Sequence, residues 1–357
     1  MILLLKSIFQ PILRDKSIYL ICIFTSIAYS IYYLFLGGFP YDLNKFLLIF
    51  MQATVFTGIA FIIMYFFYLM IKLDPHPINS YLRLIKLPFI YWRESINFFL
   101  LCIAISIILS VFSSVKSSIP IAIPFYLDST LVELDLFLHF GYAPWEITHF
   151  IFSSPVSTAI LNFLYNFWFF LCWSFLIVLM CWVNRPGIRR QALICFCLIW
   201  IINGNVLAVL LSSAGPCFYS MIGSGSDTYI ELMSRLNEQN DWLLNNNRFF
   251  NVWALKTQDI LWESYVQSNH GITSGISAMP SMHISVASLI AMTIYHFNKT
   301  FGGIAWGYAL LIMVGSVHLG WHYAVDGYFA LMLTSIIWFS VKRILARYPL
   351  KDTANKP

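Results

Sequence analysis

Charge is what this chain has least of. Asp, Glu, Lys and Arg make up 10% of its 357 residues, against about 25% in a soluble domain. That scarcity excludes an ordinary soluble enzyme, because 59% of the residues are hydrophobic and fall in long uninterrupted runs. Several runs exceed the roughly 20 residues that carry a helix across a bilayer. They are continuous rather than alternating, which argues against a β-barrel. The cysteines offer no framework either. Six of the seven lie within apolar runs, where cysteine acts as a small hydrophobe, and no pair has the spacing of a disulfide scaffold or a zinc site. There is no internal repeat and no low-complexity stretch. The apolar residues before Lys6 are too few for a cleavable signal. The net charge of +5 gives no reason to expect a nucleic-acid partner, since the basic residues cluster beside the apolar runs.

The expected fold class is therefore all-α: a polytopic helical membrane protein of about eight transmembrane helices. The spans are expected near 17–38, 44–72, 96–114, 156–183, 191–213, 281–297, 303–321 and 324–345. If they alternate, 16 of the 21 basic residues fall on one side, and the positive-inside rule makes that side cytoplasmic. Both termini are then cytoplasmic. The compact connections suggest a bacterial inner membrane. Residues 1–114 read as accessory spans, 115–345 as a catalytic membrane domain and 346–357 as a cytoplasmic tail. On the outer side, Leu131, Leu134, Leu136 and Phe137 alternate with Glu133 and Asp135 as in a short interfacial helix. The connection 214–280 is too long to be structureless and is expected to be folded or functional. Its Trp242, Trp253 and Trp262 would suit an interfacial lid.

Two stretches at the outer edge carry chemistry: Pro280-Ser281-Met282-His283, opening one span, and His322-Tyr323-Ala324-Val325-Asp326, between the next two. Ionisable groups near lipid are costly and tend to mark function. On a helical backbone His322 and Asp326 would share a face. A carboxylate beside an imidazole fixes its tautomer and supports a positive charge on it, leaving the other nitrogen as nucleophile or base. His283 can approach from a second helix as acid. Pro280 suits a first helical turn and Ser281 a helix start, and the N–H groups there suit an anion. Two histidines about an anion site point to phosphoryl transfer with no cofactor and no metal. Two other readings stay open: a metal site on His318, His322 and Asp326 with His283 as fourth ligand, and a proton or ion relay in a transporter. His76, His139, His149 and His296 read as interfacial residues satisfied by water. Tyr165, Asn166 and Trp168 read as packing residues or the lining of a lipid groove.

At these residues the sequence resembles the type 2 phosphatidic acid phosphatase superfamily, through Pro-Ser-x-His at 280–283 and His-x-x-x-Asp at 322–326. The resemblance covers roughly residues 115–345. It implies a six-helix-type core in which His322 is a nucleophile that becomes phosphorylated, Asp326 supports it and His283 is the acid. The family's Lys-x6-Arg-Pro element is missing: Val178 stands where the lysine belongs before Arg185-Pro186, and Gly315-Ser316 replaces the Ser-Arg that precedes the last motif. In this the chain is most similar to the inositol phosphorylceramide synthase branch, whose members are lipid phosphotransferases. Gly215-Pro216-Cys217-Phe218-Tyr219 also resembles a segment of that branch. The resemblance implies a membrane phospholipid or lipid-linked phosphate as donor and an alcohol or water as acceptor. Without the usual clamp, the phosphate contacts are expected from Ser281, His318 and Tyr323 beside the catalytic residues, and from Arg235, Arg248, Lys256 and His270 in the long connection.

Overall fold

The computed structural model describes residues 9–37, 40, 42–223, 228–246, 250–267 and 275–348. Among them the regular structure is helical throughout. In chain order the helices are α1 (Lys16–Leu36), α2 (Leu43–Lys72), α3 (Pro77–Ile90), α4 (Trp92–Ala122), α5 (Asp128–Leu138), α6 (Pro144–Ile151), α7 (Pro155–Cys181), α8 (Pro186–Ile201), α9 (Ile230–Asn245), α10 (Trp253–Val266), α11 (Met282–Phe297), α12 (Lys299–His318) and α13 (Ala324–Arg347). Seven of the described helices are long and apolar enough to cross a membrane: α1, α2, α4, α7, α8 with its continuation to Leu210, α12 and α13. The chain is an integral membrane protein of the polytopic helical class. The eighth expected span is α11, which at 16 residues rises only about 24 Å.

Local chemistry explains the boundaries. Proline stands at the first turn of α3, α6, α7 and α8, where its missing N–H costs nothing. Ser154 Oγ caps α7 by accepting from Ser157 N, and Asn298 caps α12 by accepting from Phe301 N. Apolar side chains cover α2 on nearly all sides, and only 17% of its most apolar window is buried, whereas 67% of that of α4 is. Thus α2 faces lipid and α4 runs through the interior. The span expected at 96–114 extends in fact to Ala122. One helix carries both the end of the expected accessory segment and the start of the expected catalytic one.

A polar knot near the starts of α1, α4 and α8 joins them. Buried Arg189 donates to both carboxylate oxygens of buried Asp15, at 2.5 and 3.0 Å, and to Met180 O. Asn97 Nδ2 donates to Asp15 Oδ2, and Tyr19 OH to Asn97 Oδ1. Every member has a partner, as a buried ion pair requires.

The connection 214–280 is folded where it is described. Leu232, Leu236, Gln239 and Leu243 form the buried stripe of α9, at helical spacing. Helix α10 is tied down by Gln258 Nε2, which donates to Leu319 O. Trp262 stacks on Phe218 at 5.7 Å, while Trp242 and Trp253 remain partly exposed. Arg248 and His270, both expected phosphate contacts, lie outside the described residues.

Candidate active site

The turn between α12 and α13 carries the first histidine. Helix α12 ends at His318, and Trp321 N and His322 N both donate back to Ser316 O. His322 therefore precedes α13 instead of lying on it, which corrects the expectation of a shared helical face. The two side chains meet by another route. Asp326 sits in the first turn of α13 and folds back, its Oδ2 accepting from Tyr323 N at 3.0 Å. The same oxygen is 3.4 Å from His322 Nδ1. Asp326 is fully buried and His322 is 8% exposed. Nδ1 faces the carboxylate, and no described residue holds the opposite nitrogen, Nε2.

His283 enters from α11, its ring centre 6.3 Å from that of His322. It is packed on three sides by α7: Tyr165 at 4.5 Å, Trp168 at 4.3 Å and Phe169 edge-on at 5.6 Å. Trp168 Nε1 also donates to His283 O at 3.0 Å. Tyr165 and Trp168 thus form the wall that sets the His283 ring. Ser281 precedes the first turn of α11, but its hydroxyl makes no capping bond. Pro280 lies before the helix, outside the first turn expected for it. Around the two rings, Ser281 Oγ, His283 Nε2, Asp326 Oδ1 and Tyr165 OH are buried without a hydrogen-bond partner. Buried polar groups are usually paired, so this concentration of free ones marks a place built for a polar guest.

The turn is held from α5, in a way the sequence did not reveal. Asp135 accepts from Ala324 N at 2.8 Å and Val325 N at 2.9 Å, capping α13 with a carboxylate from another helix. Burial pushes the Asp135 carboxyl up to about 6, against the pull of those two donors, with Asp326 adding to the rise. Asp128 accepts from Ala214 N, Gly215 N and Tyr323 OH. Burial, reinforced by Asp128, holds the Tyr323 hydroxyl well above its ordinary range. Tyr323 is thereby a strut, fully engaged with α5. The helix expected to lie on the interface is docked by its acids onto the turn that follows His322. The Gly215–Phe218 segment is buried beside it, with Cys217 N donating to Gly320 O.

His318 does not join the pair. Its ring stacks on His149 at 3.7 Å, and Nε2 is 2.8 Å from Thr158 Oγ1. That hydroxyl donates on to Gln239 Oε1, so the imidazole is the donor. His149 Nε2 donates to His318 O. His149, expected to be wet and interfacial, is completely buried; burial lowers it to about 4, against the hydrogen bond to His318 O, and Arg235 lowers it further. Arg235 thus acts on this stacked pair, and Lys256 is exposed on α10. The His318–His322–Asp326 ligand row is not assembled, and among the described residues no group of three or more His, Cys, Asp or Glu is placed to hold a metal ion.

These features define a polytopic membrane protein with a histidine pair and a buried carboxylate gathered by helices of its C-terminal two thirds. A family model described as the PAP2 superfamily matches residues 129–339, and the chain belongs to that superfamily of phosphatase-type membrane enzymes. No curated protein and no solved structure matches it.

Proposed function

We propose that the protein is a lipid phosphotransferase working through a phosphohistidine on His322. The observation that carries this reading is the 3.4 Å contact of His322 Nδ1 with Asp326, together with His283 from a separate helix 6.3 Å away. In the first half-reaction His322 Nε2 attacks phosphorus, the bond to the leaving oxygen breaks, and His283 gives that oxygen its proton. Asp326 supports the charge on His322. In the second, an acceptor hydroxyl gives its proton to His283 and attacks phosphorus, and the P–N bond breaks. General acid–base help of this kind contributes about 10²–10⁴-fold. A membrane phospholipid or lipid-linked phosphate is the donor. The missing Lys-x6-Arg-Pro and Ser-Arg elements favour an alcohol over water as acceptor and support a likeness to the inositol phosphorylceramide synthase branch.

The same reading puts both termini in the cytoplasm of a bacterial inner membrane and the site at the outer face, with residues 1–114 as accessory spans before the catalytic domain. The test is turnover of a panel of phospholipids by purified protein, following phosphate release and lipid products beside the His322→Ala variant. The expected result is turnover that needs His322 and persists in EDTA, with label from the lipid phosphate trapped on the protein. Undiminished turnover by His322→Ala would end the proposal.

A further inference from the structure

The family match begins at residue 129, yet a lysine from outside it borders the segment that leads into His283. Lys116 lies on α4, the most buried of the candidate spans, and is itself partly buried. No described carboxylate or other acceptor pairs with its ammonium. Two close approaches fix where it sits. The backbone of Lys116 lies so near Gly275 that a Cβ there would fall 2.6–2.7 Å from Lys116 C and O. One turn earlier, the ring of Phe112 and Met282 Sδ both abut the Cβ position of Gly204, at 2.7–2.8 and 3.4 Å. The 112/116 face of α4 therefore borders the segment from Gly275 to Met282, which leads into His283. Helical side chains tilt toward the helix N-terminus, so the lysine leans from Gly275 toward Met282. A cation without a counter-ion in a low-dielectric interior is costly, and the segment it borders leads to Ser281 Oγ and His283 Nε2, both buried and unpartnered.

We propose that Lys116 is the phosphate-binding cation of this site, supplied by the accessory helix α4 in place of the lysine and arginine absent from the family elements. Its ligand is a phosphoryl oxygen of the group held between His283 and His322. The assignment rests on the phosphotransfer reading for its role in turnover, but anion binding can be measured without turnover. The probe is radiolabelled inorganic phosphate, equilibrated with the full-length protein in detergent. Lys116→Met should weaken phosphate binding about 10- to 100-fold, the range for losing a hydrogen bond to a charged group, and Lys116→Arg should restore most of it. Lys116→Met should also be at least as heat-resistant as the wild type, because an apolar side chain replaces an unpaired buried charge. Wild-type phosphate affinity in Lys116→Met, lack of binding by the wild type, or loss of heat resistance in Lys116→Met with none of the binding restored by Lys116→Arg would each overturn the assignment. Lys116-dependent phosphate binding in a protein that turns over no lipid would uphold the anion site and refute phosphotransfer instead.

Discussion

Two buried groups outside the spans should give this protein opposing pH dependences that separate on mutation. Asp135 is raised from an ordinary 3.8 to about 6. The fold therefore favours its protonated form: the stability it contributes is complete below pH 3.8 and is lost as pH rises through about 6. At 1.36 kcal/mol per pKa unit that loss is about 3 kcal/mol. His149 is lowered from 6.5 to about 4. The fold favours its neutral form: its contribution is complete above pH 6.5 and is lost as pH falls through about 4, again by about 3 kcal/mol. Both side chains are almost fully buried, at 1% and 0% exposure, so solvent screening leaves these terms largely intact. Over pH 4–6 these two slopes oppose each other. Asp135→Asn removes one, and stability should then rise more steeply with pH than in the wild type. His149→Gln removes the other, and stability should then rise less steeply, or fall more steeply, than in the wild type. The assay is thermal unfolding in detergent, followed by the fluorescence of the 12 tryptophans at half-unit steps of pH. The slope is the readout, since Asp135→Asn also weakens the cap on α13 at every pH. Equal slopes in the wild type and both variants would mean that neither group is held away from its ordinary range, and the buried α5–α13 and α6–α12 contacts would be wrong.

Asp326→Asn should stay folded, because an amide oxygen can still accept from Tyr323 N, while turnover falls roughly 10³-fold or more as the imidazole loses its carboxylate; an unfolded variant would make Asp326 structural. Arg189→Leu leaves the buried Asp15 carboxylate with Asn97 and Arg14 alone, and should cost about 1–3 kcal/mol, read as a lower unfolding midpoint; an unchanged midpoint would show that the knot does not join α1 to α8. Thr158→Val cuts the chain from His318 to Gln239, and should cost about 1–3 kcal/mol with little change in turnover per folded molecule. A specific loss of turnover would return His318 to the catalytic site.

What the sequence displayed depended on the range of the interaction. Apolar runs are local, and all eight became helices. The spacing within 280–283 and 322–326 is local too, and those stretches lie together. The link between His322 and Asp326 was visible, but its cause was misplaced: the contact comes from a carboxylate folding back at a helix start rather than from a helical face. Interactions across long separations were hidden. Asp135 and Ala324 are 189 positions apart, and an acid between leucines at an interface looks the same whether it faces water or caps another helix. His149 read as a lone interfacial histidine and His318 as a ligand or phosphate contact, and only the docking of α6 on α12 stacks them.

Lys116 was hidden for a different reason. A lysine near the end of a span ordinarily snorkels to the surface, so Lys116 carries no signal of its own in the sequence. That reading assumes that the helix end meets lipid or water. Helix α4 meets neither over most of its length, because α1, α2 and α8 pack around it and Gly275 lies against its backbone at Lys116. The proposal directs the lysine inward, toward His283. A site defined only by the family segment would have two histidines and an aspartate but no described cation beside the phosphate. The helix that supplies one also joins the first spans to the core, through Asn97 at one end and Lys116 toward the other. On the Lys116 proposal the first spans are coupled to phosphate binding, and in the full chain Arg189→Leu, which loosens the far end of α4, should weaken phosphate binding less than Lys116→Met.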